Sequence, residues 1–314
     1  MKSLLNKKIL IFFLLFILII MNLSKGLAEK LPPASVAVLV SLKIKPYLDT
    51  IEGLREIFNE VEIDSDVFFM DNFKGKSYQN LKNKLLNKNF SLFVSIGPEA
   101  SRFMWTEFQN RNIPKLYTMV LHPEKMPEAP QQLCGIPLAI PIKIQIQEIS
   151  KALPDLKQLG LLFDPQYNSD FFSQALEKAY EIGLTIIPLK VSSKKEIPLI
   201  LKNFFNKVDG IWMIPDRTVI SESIIQYIIK ESLLNGIPVI GYNRFFYESG
   251  AVMNFILDYK TLGKQTGKLA IEVLTSSPCR NDDPDFKIWF NQRVLKKIGL
   301  TFIENNSKGI ISEP

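Results

Sequence analysis

Short apolar runs alternate along most of this chain with segments whose apolar residues recur at helical spacing. A continuous apolar run indicates a strand buried on both faces, which is typical of parallel sheets covered by helices. Strands that alternate with helices therefore predict an α/β fold of doubly wound, Rossmann-like sheets. The predicted strands are residues 35–41, 67–70, 92–97, 115–121, 158–163, 184–191, 211–214, 237–241, 250–257 and 286–290.

The second half of the chain repeats the plan of the first half. Residues 92–97, followed by Pro98 and Glu99, correspond to residues 211–214, followed by Pro215 and Asp216. In open α/β sheets, ligands bind beyond the carboxyl ends of the strands. The repeat therefore predicts two similar lobes with a ligand site in the cleft between them.

One segment, residues 142–147, fits both a strand and a helix. Its apolar residues alternate, yet Ile142, Ile146 and Ile149 also share one helical face. We predict a helix, because the parallel strands on either side need a crossover connection. We expect the tail after Asn305 to be loose.

The first 28 residues have the pattern of a secretory signal peptide. Basic residues precede an apolar run over residues 9–21, and the small residues Gly26 and Ala28 follow it. The run is shorter than the ~20 residues of a membrane-spanning helix, and no cysteine lies near it. We predict cleavage after Ala28 and a periplasmic or otherwise exported protein. An uncleaved N-terminal anchor is the alternative.

The positive charge of the chain is concentrated in that segment. The chain has 38 basic and 32 acidic residues, a formal net charge of +6. Four of the lysines and none of the acidic residues lie within residues 1–28, so the remainder has 34 basic residues against 32 acidic ones, a net +2. Such a balance does not favour a nucleic-acid partner.

Two cysteines, Cys134 and Cys279, allow two interpretations. An exported compartment permits a disulfide between them. Alternatively, each is a separate small apolar residue in a core.

Several segments carry a resemblance when they are taken in order. They are residues 38–41 with 46–47, 97–100, 135, 160–165, 208–216, 237–241, 250–251, 263 and 291–300. Together they resemble the solute-binding proteins of ABC importers, and more narrowly the subfamily that includes aromatic-amino-acid (tryptophan and tyrosine) binders. The resemblance implies a type I periplasmic-binding fold. The sequence departs from the family's pattern at Pro98, Glu99 and His122. These residues lie at the expected ligand face, so the departures bear on the identity of the ligand.

The resemblance also implies interrupted lobes. The first would hold residues 29–140 and 256–283, and the second residues 141–255 and 284–314. Three crossings between them would form a hinge, and the lobes would close around a ligand that binds to the open form.

Residues at the predicted strand ends are the candidate ligand contacts. They are Ser41, Tyr47, Gly97, Glu99, Ala100, Ser101 and His122 in the first lobe, and Tyr167, Asn168, Ser169, Asp216, Tyr242, Asn243 and Phe245 in the second. The helix starts at residues 97–101 and 167–169 offer N–H groups to a ligand carboxylate, although capping explains Ser101 and Ser169 equally well. The aromatic side chains stack on a ligand or pack in the core.

Asp216 has two alternative roles. It accepts a hydrogen bond from a ligand ammonium group, or it caps the helix that follows. If the first role holds, we expect Asp216→Ala to weaken ligand binding and to leave folding largely intact.

No catalytic constellation is visible in the sequence. His122 is the single histidine, so neither a histidine metal cluster nor a catalytic triad is indicated. The glycines at 263 and 267 are one residue too close for a phosphate loop, and Leu269 replaces the required Ser or Thr. We expect no enzyme activity, no cofactor and no metal.

The sequence therefore predicts an exported, monomeric solute-binding protein. It would capture an amino acid or a similar small polar or aromatic molecule and deliver it to an ABC permease in the inner membrane. A sensory protein that docks on a membrane receptor or kinase is the main alternative. An exported α/β enzyme is the second.

Overall fold

The structure, a computed structural model, describes residues 34–72, 77–126, 133–300 and 310–311. The predicted signal peptide and its cleavage point lie outside the described residues. The strands are β1 (Ser35–Val40), β2 (Asp64–Phe69), β3 (Leu92–Ile96), β4 (Lys115–Thr118), β5 (Gly135–Ile136), β6 (Gln158–Phe163), β7 (Thr185–Lys190), β8 (Gly210–Met213), β9 (Val239–Gly241), β10 (Met253–Ile256), β11 (Lys287–Phe290) and β12 (Ile310–Ile311).

The helices connect these strands in the predicted alternation. They are α1 (Lys45–Glu60), α2 (Ser77–Asn87), α3 (Pro98–Glu107), α4 (Ile142–Ala152), α5 (Pro165–Tyr180), α6 (Ile197–Phe204), α7 (Glu222–Leu234), α8 (Arg244–Ser249), α9 (Tyr259–Leu274) and α10 (Gln292–Lys297). Short 3-10 turns cover Met70–Asn72, Pro123–Lys125 and Lys194–Glu196.

The strands form two separate sheets. The first has the order β2-β1-β3-β4-β5 and is parallel. The second has the order β12-β11-β10-β9-β8-β6-β7, in which β10 and β11 pair antiparallel and the other pairs are parallel. We call the first sheet and its helices lobe 1, and the second sheet and its helices lobe 2. The predicted α/β architecture of two lobes is confirmed.

Each sheet has a core on both faces. In lobe 1, Val38 packs in one buried cluster and its neighbour Leu39 in another, because successive strand side chains point to opposite faces. In lobe 2, Leu161 and Leu162 divide in the same way. Each fully buried side chain of this size stabilises the fold by about 1.5–3 kcal/mol. The two-sided burial explains why these strands are continuous apolar runs.

Helix α9 belongs to lobe 1, although the strands on either side of it belong to lobe 2. It packs against α1 at a very short separation, which two glycines permit. A Cβ on Gly53 would lie 1.9 Å from the Lys260 carbonyl oxygen, and one on Gly263 would lie 2.0 Å from that of Thr50. Any side chain at either position would hold the two helices apart.

The chain passes between the lobes three times, as the hinge requires. The crossings follow β5, lie between β10 and α9, and lie between α9 and β11. The third crossing is tied to α9, since the Gln265 side chain accepts from the Asp285 N–H at 2.8 Å and donates to the Asp283 carbonyl at 3.4 Å. The lobe bounds stated above stay a prediction.

The two cysteines form a disulfide, with their Cα atoms 5.3 Å apart. It joins the residue before β5 to the loop after α9. Backbone bonds reinforce this junction: the Gly135 N–H donates to Arg280 at 3.1 Å, and the Asp282 N–H donates to Gly135 at 3.1 Å. Of the two interpretations of the cysteines, the disulfide is therefore correct.

Most predicted elements are confirmed, including the helix at residues 142–152, and the errors have local causes. Strand β4 ends at Thr118, short of the predicted Leu121, because Met119 adopts φ 60°. The short elements β5 and α8 were missed, since neither is long enough to show periodicity. Residues 310–311 pair with β11, where we expected a loose tail.

Candidate functional site

The carboxyl edge of lobe 1 brings several predicted residues together beside Gly97. Gly97 adopts φ 93° and ψ 165°, a conformation that is nearly restricted to glycine. The Ser41 and Tyr47 hydroxyl oxygens each lie 2.7 Å from the point that a Gly97 Cβ would occupy. Ser41 also accepts from the Ala100 N–H at 2.9 Å. Two hydroxyl groups and the start of α3 therefore converge at one place.

The Tyr47 hydroxyl is half-buried at this edge. Its pKa is raised above the ordinary value, first by burial and second by the negative charge of Glu99. Glu99 itself is exposed in the first turn of α3. Glu99 lies two residues after Gly97, so its carboxylate belongs to the same edge of lobe 1 as the Tyr47 hydroxyl.

Ser101 lies apart from these residues, inside the lobe. It is fully buried, its hydroxyl donates to the Gly97 carbonyl at 2.8 Å, and it contacts the Ser95 hydroxyl at 2.9 Å. The predicted ligand role of Ser101 is therefore not supported by its position, and Gly97 rather than Ser101 occupies the cap position of α3.

The loop after β4 carries His122 toward lobe 2. The exposed His122 ring has its Nδ1 atom 3.3 Å from a Glu124 carboxylate oxygen. In the same loop, Lys125 Nζ lies 3.6 Å from a carboxylate oxygen of Asp170, which belongs to the first turns of α5. This ion pair crosses between the lobes, so the loop and the start of α5 face each other.

The carboxyl edge of lobe 2 is held by a buried network centred on Asp216. One carboxylate oxygen accepts from the Asp164 N–H at 2.8 Å and from the Asn168 side-chain amide at 2.7 Å. The other accepts from the N–H groups of Thr218 at 2.9 Å and Val219 at 3.3 Å. The side chains of Asp164 and Thr218 complete the network with a bond of 2.6 Å.

Of the two roles considered for Asp216, this network favours the cap, since Asp216 accepts from the N–H groups that follow it. The network also argues against Asn168 as a ligand contact. Asp216 is 3% exposed, and both of its oxygens already accept protein hydrogen bonds. Asn168 is buried as well, and the backbone of α5 kinks there, with φ −128° and ψ 22°. The two side chains tie the turn after β6 to the turn after β8, and a ligand would have to displace these bonds to reach them.

Tyr167 and Ser169 stand on the outside of the same turn, and both are exposed. The Arg217 guanidinium lies 5.6 Å from the centre of the Tyr167 ring, a cation–π contact. Arg217 was not among the predicted residues. Its neighbour Asp216, which was predicted as a contact, is buried, whereas Arg217 is exposed.

Tyr242 follows β9 and packs partly buried against the core of lobe 2, with its ring centre 4.6 Å from that of Phe246. Burial raises its pKa to about 12, and the charge of Asp216 and the neighbouring Tyr259 contribute. Tyr259 begins α9 of lobe 1, and its own pKa is raised by burial and then by Asp49. Tyr259 packs partly buried against the core of lobe 1. Sequence reasoning missed it because the predicted helix began two residues later.

Asn243 and Phe245 have structural positions. The Asn243 side chain caps α8 by accepting from the Phe246 N–H at 3.2 Å. Phe245 packs partly buried against the core of lobe 2. Within the described ranges, no group of three or more His, Cys, Asp or Glu side chains is arranged to hold a metal ion. None of the described helices is long and apolar enough to cross a membrane.

Comparison with known proteins gives a consistent result. The sequence model of the family described as ABC transporter substrate binding protein matches residues 35–309. A tyrosine-binding protein of Clostridioides difficile (strain R20291) is 22% identical over 204 residues, which cover 62% of this chain and 58% of that protein. The similarity thus spans a little over half of that relative's length.

Solved structures share the fold. A ligand-free, open substrate-binding protein with adhesive properties from Clostridium difficile has a TM-score of 0.74 and 19% identity, covering 90% of this chain and 100% of that chain. A domain from Streptococcus pneumonia in complex with L-Trp has a TM-score of 0.57 and 17% identity, covering 89% of this chain and 100% of that chain. At these identities the likeness concerns the fold alone.

Proposed function

We propose, from the premise that this chain belongs to the family of ABC transporter substrate-binding proteins, that it captures an aromatic amino acid or a similar small molecule between its lobes. The protein would be exported, lose its signal peptide near Ala28 and act as a monomer. It would then deliver the ligand to an ABC permease in the inner membrane.

The observation that carries this proposal is the convergence of two hydroxyl groups beside Gly97. The buried Ser41 hydroxyl accepts a bond from the backbone of α3, and the half-buried Tyr47 hydroxyl lies beside the same glycine. Hydroxyl donors at such a point suit a polar ligand group in a cleft. Half-buried Tyr242, after β9, and half-buried Tyr259, at the start of α9, would supply aromatic surface of the kind that packs on rings.

The relatives support the choice of an aromatic amino acid. One curated relative is a tyrosine-binding protein, and one structural neighbour holds L-Trp. The proposed contacts in this chain are Ser41, Tyr47, Gly97, Glu99, His122, Tyr167, Tyr242 and Tyr259. Ala100 is not among them, because it is buried and its N–H already donates to Ser41. Three predicted residues are weaker candidates. Asn243 caps α8 and Phe245 packs against the core of lobe 2, and Ser169 has no neighbour at the cleft among the described residues.

Calorimetric titration of the exported, purified protein tests the proposal. We expect L-tyrosine or L-tryptophan to bind with a dissociation constant of about 1 μM or lower, and ribose not to bind. Tyr47→Phe should weaken binding about tenfold because it removes one hydroxyl bond to the ligand. The matched control is Tyr180→Phe, since Tyr180 is 86% exposed on α5 and should not affect binding. Absence of binding by any amino acid at millimolar concentration would contradict the proposal.

A further inference from the structure

The carboxylates near the cleft differ in whether they already form hydrogen bonds or ion pairs within the protein. Asp164 and Asp216 are buried and bonded within lobe 2. Asp49 pairs with Lys45 at 2.9 Å, and Glu124 lies beside His122. A ligand ammonium group needs an acceptor that is not already committed.

Two further carboxylates at the lobe junction are also committed. Asp258 caps α9 by accepting from the Thr261 N–H at 2.7 Å, and Asp170 forms the ion pair with Lys125.

Asp71, after β2, accepts from the Lys43 N–H at 3.3 Å through one oxygen, and its other oxygen is buried. Glu99 differs from all of these carboxylates. It is exposed, and within the part of the chain that the structure describes no ion pair includes it.

The position of Glu99 decides which ligand group suits lobe 1. Glu99 is the second residue of α3, and its charge acts on the Tyr47 hydroxyl beside Gly97. A ligand carboxylate placed beside Gly97 would meet this negative charge, and like charges at close range repel each other. An ammonium group at the same place would be attracted, and it could also donate to the hydroxyl oxygens there.

Lobe 2 presents the opposite charge in the corresponding turn. Arg217 follows β8, as Glu99 follows β3, and it is exposed with no ion pair among the described residues. The backbone around it is fixed, because Asp216 on one side and the Thr218 N–H on the other belong to the buried network. The root of the side chain is therefore anchored, and only the guanidinium end is free.

The aromatic partner of Arg217 lies in the first turn of α5, the helix that contacts lobe 1 through Asp170. The Arg217 guanidinium stacks on Tyr167, which lies three residues before Asp170, and Asp170 contacts Lys125 across the cleft. Arginine binds carboxylates through two parallel hydrogen bonds, so this position suits the acidic group of a ligand.

We propose that the cleft selects zwitterionic amino acids and holds them in one orientation, with the ammonium group at Glu99 of lobe 1 and the carboxylate at Arg217 of lobe 2. This inference rests on the proposed function and adds the ligand's charge pattern and direction to it. Asp216, which the sequence suggested as the ammonium acceptor, instead holds Arg217 in place.

Three related probes separate the two charges. L-Tyrosine carries both, tyramine carries the ammonium group alone, and 3-(4-hydroxyphenyl)propionate carries the carboxylate alone. Titration of the exported protein should show that tyrosine binds at least about tenfold more tightly than either analogue, because each lost charge removes a charge-assisted hydrogen bond.

The variants assign each charge to a lobe. We expect Glu99→Gln to lower the affinity for tyrosine and for tyramine about tenfold. The affinity for the propionate should not change. Arg217→Gln should lower the affinity for tyrosine and for the propionate about tenfold. The affinity for tyramine should not change. Both side chains are exposed, so both variants should fold, which a thermal melt checks.

Matched controls remove the same charges far from the cleft. Glu60 is the last residue of α1, and Arg293 lies in α10, which follows the antiparallel strand β11. Each residue therefore lies at the edge of its sheet that is opposite the carboxyl edge of the parallel strands. Glu60→Gln and Arg293→Gln should leave all three affinities unchanged.

The outcomes distinguish the inference from the proposed function. If tyrosine binds but the two variants show the reverse pattern, or no difference between the analogues, the orientation is wrong and the proposed function stands. The same probes built on tryptophan (tryptamine and indole-3-propionate) apply if tryptophan is the tighter ligand. If no amino acid binds to the wild-type protein, both the orientation and the proposed function are overturned.

Discussion

The carboxyl edges of the two lobes are built by different means, although the sequence presents them as repeats. In lobe 1 the edge is shaped by Gly97, whose missing side chain leaves room for the Ser41 and Tyr47 hydroxyls. In lobe 2 the edge is shaped by the buried side chains of Asp164 and Asp216, which bond to each other's turns. Lobe 1 therefore has a half-buried hydroxyl, that of Tyr47, at its edge, whereas the buried carboxylates of lobe 2 bond within its own turns.

A second difference concerns covalent support. The disulfide lies wholly within lobe 1, where it holds the loop after α9 against β5. Within the described residues, lobe 2 has no disulfide and is held together by non-covalent contacts. We expect the stability of lobe 1 to depend on the redox state and that of lobe 2 to depend on the Asp216 network.

The largest expected effect comes from Asp216→Ala in lobe 2. The substitution would leave the N–H groups of Asp164 and Thr218 and the Asn168 amide without their buried acceptor, and we expect the free energy of unfolding to fall by about 4 kcal/mol. Urea unfolding measures it. This revises the sequence expectation that folding would stay largely intact.

Asp209→Ala is the matched control for that substitution. Asp209 accepts from the N–H groups of Lys157 and Gln158 at 2.8 and 2.7 Å, so it bridges β6 and β8 at their other ends, but it is exposed. Because water replaces the lost bonds there, we expect a loss of about 1 kcal/mol. Equal losses in the two variants would show that burial of the Asp216 network is unimportant.

The next effect concerns the disulfide of lobe 1. The bonded residues are 145 positions apart, so the cross-link restricts a large part of the unfolded chain. We expect Cys279→Ser to lower the free energy of unfolding by about 3 kcal/mol. Hydrogen exchange should show faster exchange in α9 and the loop after it than in the strands of lobe 2. Wild-type protein treated with a reductant should match the variant, and a uniform change in both lobes would contradict the comparison.

A smaller effect is expected from Gly97→Ala at the edge of lobe 1. The alanine would be strained at φ 93°, and its Cβ would lie 2.7 Å from both hydroxyl oxygens. We expect a loss of about 2 kcal/mol in unfolding free energy and a loss of ligand binding. Gly183→Ala serves as the control, since Gly183 also has positive φ but its Cβ would meet nothing within 4 Å. If Gly97→Ala keeps full affinity, the Gly97 site is not where the ligand binds.

The smallest effect concerns Tyr242 at high pH. Its pKa is raised to about 12 in the folded protein, whereas an unfolded tyrosine titrates near pH 10. The folded state therefore favours the neutral phenol, and stability is unaffected below about pH 10 and falls as the pH rises toward 12. Tyr242→Phe should reduce this fall, which urea unfolding at about pH 9 and about pH 11 would show. An identical pH dependence in the two proteins would argue that Tyr242 is not desolvated.

The sequence predicted the fold better than the site. Nearly every long strand and helix was visible from periodicity, and even the ambiguous helix α4 followed from the need for a crossover. At the carboxyl edge of lobe 1 the structure brings the predicted Ser41, Tyr47 and Gly97 together, and Ser41 and Gly97 follow their strands directly. Their role as ligand contacts stays a prediction. Arg217 follows the same strand as Asp216 and lies at the predicted strand end, but only Asp216 was chosen there as a ligand contact. Tyr259 was missed because the predicted helix began two residues later.

The sequence by itself determined the order of strands and helices and the duplication into two lobes, because these depend on residues close together in the chain. Only the tertiary structure decided that Asp216 is enclosed by Asp164 and Asn168, that Cys134 bonds to Cys279, and that α9 packs on α1. Each of these is a contact between distant segments. Whether a polar residue faces a ligand or a neighbouring turn depends on such contacts, and local patterns contain no record of them.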